Sequence, residues 1–145
     1  MNKGAGGGHV GRSIAAVIAG ILAGAILSLG TDIGLHALGV FPALGQPMGD
    51  GLLLLATAYR TIYGVLSGYI IARLAPDRPM GHALVGGTVA LVVSIAGAAA
   101  TWNRGLGPHW YPLALIVLAM PSAWLGGRFR VSQLHAQGST LTPQS

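Results

Sequence analysis

The chain has 145 residues, of which 52% are hydrophobic and 8% charged, with a mean hydropathy of +0.66. Soluble domains carry about 25% charged residues, so this composition excludes an ordinary soluble domain and points to a small integral membrane protein. The absence of cysteine excludes a disulfide framework and thiol chemistry, and the formal net charge of +5 needs an explanation other than a nucleic-acid footprint. The basic residues lie at the ends of apolar runs instead of clustering on one face, so nucleic acid is not an expected partner.

Residues 1–12 (MNKGAGGGHVGR) are glycine-rich and basic, and read as a flexible tail. The apolar run that follows, residues 13–38, is longer than the core of a cleaved signal peptide. It therefore reads as a first membrane span. Gly20, Gly24, Ser28, Asp32 and His36 recur at i+4 steps along it and share a slowly drifting face. Gly20–Gly24 and Gly30–Gly34 are GxxxG pairs, which let helices approach closely in lipid.

The segment GVFPALGQPMGDG breaks the helix with two prolines and several glycines. Asp50 is placed to cap a second span over residues 51–74. Within it the stretch 56–74, ATAYRTIYGVLSGYIIARL, carries Arg60 well inside an apolar run. A bilayer core about 30 Å thick needs roughly 20 helical residues. An arginine near the centre of such a helix costs about 2.5–3.5 kcal/mol on insertion scales. Arg60 must therefore snorkel, face a wet cavity or meet an acid on a neighbouring helix. The chain has three acids, Asp32, Asp50 and Asp77. Asp50 and Asp77 flank the second span, which leaves Asp32 on an antiparallel first span as the expected partner of Arg60. Thr57, Arg60, Gly64, Ser67 and Gly68 lie along one side of this helix. Tyr59, Tyr63 and Tyr69 read as packing residues in preference to hydroxyl donors.

The turn RLAPDRP ends the second span, because proline cannot continue a helix. A third span is predicted over residues 81–102, with His82 near its start and a small face of Gly87, Ala90, Ser94, Gly97 and Thr101. Trp102, Trp110 and Tyr111 sit where an interfacial aromatic belt would. A fourth span is predicted over residues 111–128, with Pro112 in its first turn and Pro121 as a kink site. Residues 131–145 are polar and read as a disordered tail. The expected fold is thus an all-α, four-helix integral membrane bundle over residues 13–130.

Lysine and arginine placement predicts the topology. With both termini in the cytoplasm, Lys3, Arg12, Arg73, Arg78, Arg128 and Arg130 lie inside and Arg104 alone outside, a one-sided positive-inside bias.

Asp32, His36 and Arg60 form the candidate constellation. Asp32 and His36 are one turn apart and share a face. Together with Arg60 they are read as an intramembrane ion pair or a relay for protons or ions. His9, His36, His82, His109 and His135 are scattered without metal-ligand spacing, so no metal and no other cofactor is expected. Neither a GxSxG elbow nor a glycine-rich phosphate loop is present, and an enzyme is not expected. The expected partners are the lipid bilayer and either further copies of the chain or a larger membrane complex.

The segments TDIGLHALGVFPALGQPMGD, LLLATAYRTIYGVLSGYIIARLAPDRPM and ATWNRGLGPHWYPLALIVLAMPSAWLGG resemble an uncharacterised group of small bacterial inner-membrane proteins with about four spans. The resemblance covers residues 14–130 and implies a bacterial inner membrane, but no activity and no site residues. Small multidrug transporters are similar in size, but this chain lacks an acid near the centre of its first span and its charge bias is one-sided. The first functional reading is a structural or accessory membrane component. The alternative is a small transporter or ion-binding protein using Asp32, His36 and Arg60.

Overall fold

The computed structural model describes residues 5–139. Four helices make up the fold: α1 (Ala5–Ala37), α2 (Asp50–Leu74), α3 (Pro79–Thr101) and α4 (Trp110–Ser139). Three stretches, Gly7–Ala37, Pro79–Thr101 and Trp110–Ser139, are long and apolar enough to cross a membrane. α2 is not among them. Its three tyrosines, Arg60, Asp50 and Arg73 interrupt its apolar sequence, and like α3 it touches all the other helices.

Two of the expected boundaries are corrected. Residues 5–12, expected to be a flexible tail, form the first turns of α1. Residues 131–139, expected to be disordered, continue α4. The reason is the same at both ends: once a helix is nucleated, each further residue adds a hydrogen bond at little cost, even where propensity is poor. Residues 1–4 and 140–145 of the two expected tails lie outside the described residues. α4 also runs through Pro121 as one helix.

α1 is bound to the bundle on one side only. Val10, Ile14, Ile18, Leu22, Ile26, Leu29 and Ile33 are exposed, at steps of four and three, so they form one outward apolar stripe. The opposite face meets α2 and α3, and α1 does not touch α4. Contacts along the α1–α2 seam are polar or small. Ser67 Oγ donates to the Gly20 carbonyl at 2.7 Å, and Thr31 Oγ1 and Tyr63 Oη are 2.9 Å apart. A Cβ placed on Gly24 would lie 3.2 Å from Ser67 Cβ, so the first GxxxG pair does bring helices together. The second does not: nothing lies within 4 Å of a Cβ at Gly30 or Gly34.

α2 and α4 cross at Gly68 and Gly126, and α3 adds Gly86 and Gly87. Beside this crossing sits Ile71, whose side chain fills the space between Gly20 of α1 and Gly86 of α3 and is 1% exposed. Truncating a buried isoleucine to alanine removes its transfer energy and leaves a cavity. Ile71→Ala is therefore expected to destabilise the fold by about 2–5 kcal/mol, read by unfolding in mixed detergent micelles.

The α1–α2 loop (38–49) and the α3–α4 loop (102–109) meet at one end of the bundle. Gly39, with φ 70°, turns the chain out of α1, and the Val40 amide closes the turn on the Leu35 carbonyl at 3.0 Å. The Met48 amide donates to the Leu106 carbonyl at 3.1 Å and joins the two loops. Asp50 does not cap α2 with its side chain as expected. The N-cap is Gly49, and Asp50 Oδ1 instead accepts from Trp110 Nε1 at 2.8 Å, tying the start of α2 to the start of α4.

Candidate functional site

Below the two joined loops is a cavity of about 300 Å³. Its floor comes from α1 and α2, where Asp32, His36, Tyr59 and Arg60 converge. Asp32 lies one to two turns before the end of α1 and Arg60 three turns into α2, and antiparallel packing brings them to the same level. Arg60 Nη2 donates to Asp32 Oδ2. The Tyr59 hydroxyl donates to the other carboxylate oxygen, Oδ1. Asp32 is thus held by two donors from consecutive residues of α2, one charged and one neutral.

The pair is direct without being sealed. The Arg60 and Asp32 side chains remain 34% and 22% exposed, and both line the cavity. Arg60 Nε, by contrast, is buried without a hydrogen-bond partner among the described residues. An unmade bond on a buried donor costs about 1–3 kcal/mol, so the guanidinium is not fully satisfied where it lies.

His36 reaches the same cavity but does not bond the carboxylate. Its Nδ1 is 2.7 Å from the Asp32 main-chain oxygen, and its ring packs edge-on against Phe41 at 5.4 Å. His36 thus stands as a positioned imidazole beside an Asp32–Arg60–Tyr59 cluster. The walls are apolar and aromatic. Phe41, Ala56 and Tyr59 form a buried cluster against which Leu35, Met48 and Tyr111 pack. Trp102 and His109 of the other loop stack with centroids 4.4 Å apart, and both line the cavity.

Sequence reasoning missed Tyr59 and Tyr111 as site residues. Tyr59 had a visible signal, since it adjoins the one cation inside an apolar run. Tyr111 and His109 had none, because only the fold brings the α3–α4 loop and the start of α4 to the cavity that Arg60 lines. The tyrosines are corrected more generally. Tyr63 pairs with Thr31, and Tyr69 donates to Gln133 Oε1 at 2.9 Å while accepting from Arg73 Nη1 at 3.2 Å. All three hydroxyls expected merely to pack are hydrogen-bonded. Chemically the site offers a neutralised charge pair, an imidazole and aromatic walls, an arrangement suited to holding a small polar or amphiphilic molecule.

No family model, curated protein or solved structure matches this chain.

Proposed function

We propose that this protein is a multi-pass membrane protein of the bacterial inner membrane, with four spans and both termini cytoplasmic, and that it binds a small solute at the loop-end cavity. Support for membrane insertion comes from the outward apolar stripe of α1 and the three helices long and apolar enough to cross. α2 is the fourth span, its polar side chains turned to the other helices. Positive-inside bias then puts the cavity on the external side, since Arg104 belongs to the loops that cover it.

The observation that carries the solute-binding reading is the cavity of about 300 Å³ reaching Arg60 and Asp32. A pair serving only as a helix clamp has no need of such access. The test is thermal unfolding of the purified protein across a panel of small polar solutes. A true ligand at one hundred times its Kd stabilises by about 2.7 kcal/mol. Ala43→Trp, which fills the cavity from an exposed loop position, is expected to abolish that shift while leaving the unliganded melting point close to wild type. A panel that moves neither protein counts against the reading.

The direct Arg60–Asp32 contact favours a second reading, an accessory component in which the pair only fastens α1. That reading predicts no solute-dependent shift and co-purification with a larger complex or with further copies of the chain.

A further inference from the structure

A second cavity, of about 280 Å³, lies among the four helices and reaches the surface between α1 and α3, and Arg60 lines it as well as the first. All four helices contribute to it, and it occupies the space that keeps α1 from α4. Its polar lining is made of hydroxyls: Ser28, Thr61, Tyr63, Ser67, Ser94 and Ser122. Four of these are spent. Thr61 and Ser122 donate to carbonyls one turn back, Ser67 donates to Gly20 and Tyr63 pairs with Thr31. Ser28 of α1 and Ser94 of α3 make no hydrogen bond among the described residues. A helical serine normally has the i−4 carbonyl within reach. Two that leave it unused, both part-exposed on the wall of one space, are free to bond what enters that space.

Along the bundle axis the chamber is bounded by identifiable groups, while to the side it is open past the exposed Ala25, Val89, Ala90 and Val93. Toward the loop-end cavity the wall is Arg60, fixed by Asp32 and Tyr59. Toward the α2–α3 turn it stops where Ile71 fills the gap between Gly20 and Gly86. The chamber's one cation, Arg60, is already neutralised by Asp32. An ion entering there would carry an uncompensated charge into a low-dielectric site, so an uncharged occupant is favoured.

We propose that the two cavities are successive stations of one route for a small uncharged polar solute, with the Asp32–Arg60 pair as the gate between them and Ile71 as the inner plug. The proposal rests on the solute-binding reading above. The guanidinium is incompletely bonded, with Nε buried and without a partner among the described residues, so moving the side chain sacrifices less than moving a fully bonded arginine would. Loosening the Tyr59 hydrogen bond is therefore expected to open the gate without removing either charge.

Because the chain contains no cysteine, single cysteines report access directly. The probe is hydroxyethyl methanethiosulfonate, which reacts with the thiolate and so reports a hydrated thiol instead of one in lipid. Gln46→Cys lies on the loop-end cavity, Ser94→Cys in the chamber and Val92→Cys on the exposed face of α3. Gln46→Cys is expected to react fastest, Ser94→Cys measurably more slowly and Val92→Cys not at all. Adding Tyr59→Phe removes one hydrogen bond of about 0.5–1.5 kcal/mol, and should speed Ser94→Cys roughly three- to tenfold while leaving Gln46→Cys unchanged. Asp32→Asn should act in the same direction, and Tyr59→Phe keeps the test intact if Asp32→Asn does not fold. An inert Ser94→Cys in every background, or one equally fast with and without Tyr59→Phe, overturns the route. An inert Gln46→Cys overturns the solute-binding reading too, whereas a reactive Gln46→Cys beside an inert Ser94→Cys overturns the route alone.

Discussion

Gly126→Leu is expected to abolish the folded bundle, while Gly30→Leu and Gly34→Leu leave its stability within about 0.5 kcal/mol of wild type. The contrast follows from what each glycine faces. A Cβ at Gly126 would collide with the Val65 carbonyl oxygen, lie 2.5 Å from Tyr69 N and 2.8 Å from the Gly68 carbonyl carbon. All three are backbone atoms, which have no rotamer through which to yield. The collision is reciprocal, because a Cβ on Gly68 would stand 2.7 Å from the Ala123 carbonyl oxygen. α2 and α4 would have to separate along their length, and Ser122, Ala123 and Gly126 are the residues α4 buries there. Overpacking usually costs about 1–3 kcal/mol and more where the backbone must move, so a loss of at least about 3 kcal/mol is expected. Gly30 and Gly34 have open space where their side chains would be. The readout is the monodisperse fraction in detergent and its unfolding midpoint in mixed micelles.

The same comparison marks how far the residues alone could be read. Gly20–Gly24 and Gly30–Gly34 have one spacing and one helix, yet only the first pair meets a neighbour. Spacing establishes that two glycines share a face, and which face points inward depends on where α1 docks. The four helices were legible because hydropathy and proline placement are local properties. The pairing of Asp32 with Arg60 was legible for a different reason, since a cation in an apolar run narrows its partner to one of three acids. Tyr59 could be inferred only as a neighbour, and the contribution of Tyr111, His109 and Trp102 depended on the fold bringing the α3–α4 loop and the start of α4 to the cavity that Arg60 lines. The second chamber was not legible at all. Ser28 and Ser94 were each visible as members of small faces, but two faces define a chamber only when helices between them hold them apart. The helical ends at 5–12 and 131–139 were missed because composition measures propensity, and continuation from a formed helix overrides it.

Removing the carboxylate from Asp32 is the second large effect expected. In Asp32→Asn the guanidinium of Arg60 keeps its burial and loses its counter-charge, and the Tyr59 hydroxyl loses an anionic acceptor. Breaking a fully buried pair by removing one partner costs about 3–5 kcal/mol. Here the Arg60 and Asp32 side chains are 34% and 22% exposed, so solvent screens part of that and about 1–3 kcal/mol is expected. The loss should fall on α1, whose hold on the bundle is confined to α2 and α3. Arg60→Gln should cost less than Asp32→Asn, because the carboxylate left behind keeps the Tyr59 hydrogen bond and faces the cavity.

The double-mutant cycle of Asp32→Asn and Arg60→Gln, measured by unfolding of the full chain in mixed micelles, tests directly whether the cation inside α2 depends on the acid of α1. Dependence gives a coupling energy of about 1–3 kcal/mol, with the double variant more stable than Asp32→Asn alone. Additive losses, with coupling within about 0.3 kcal/mol of zero, would contradict it.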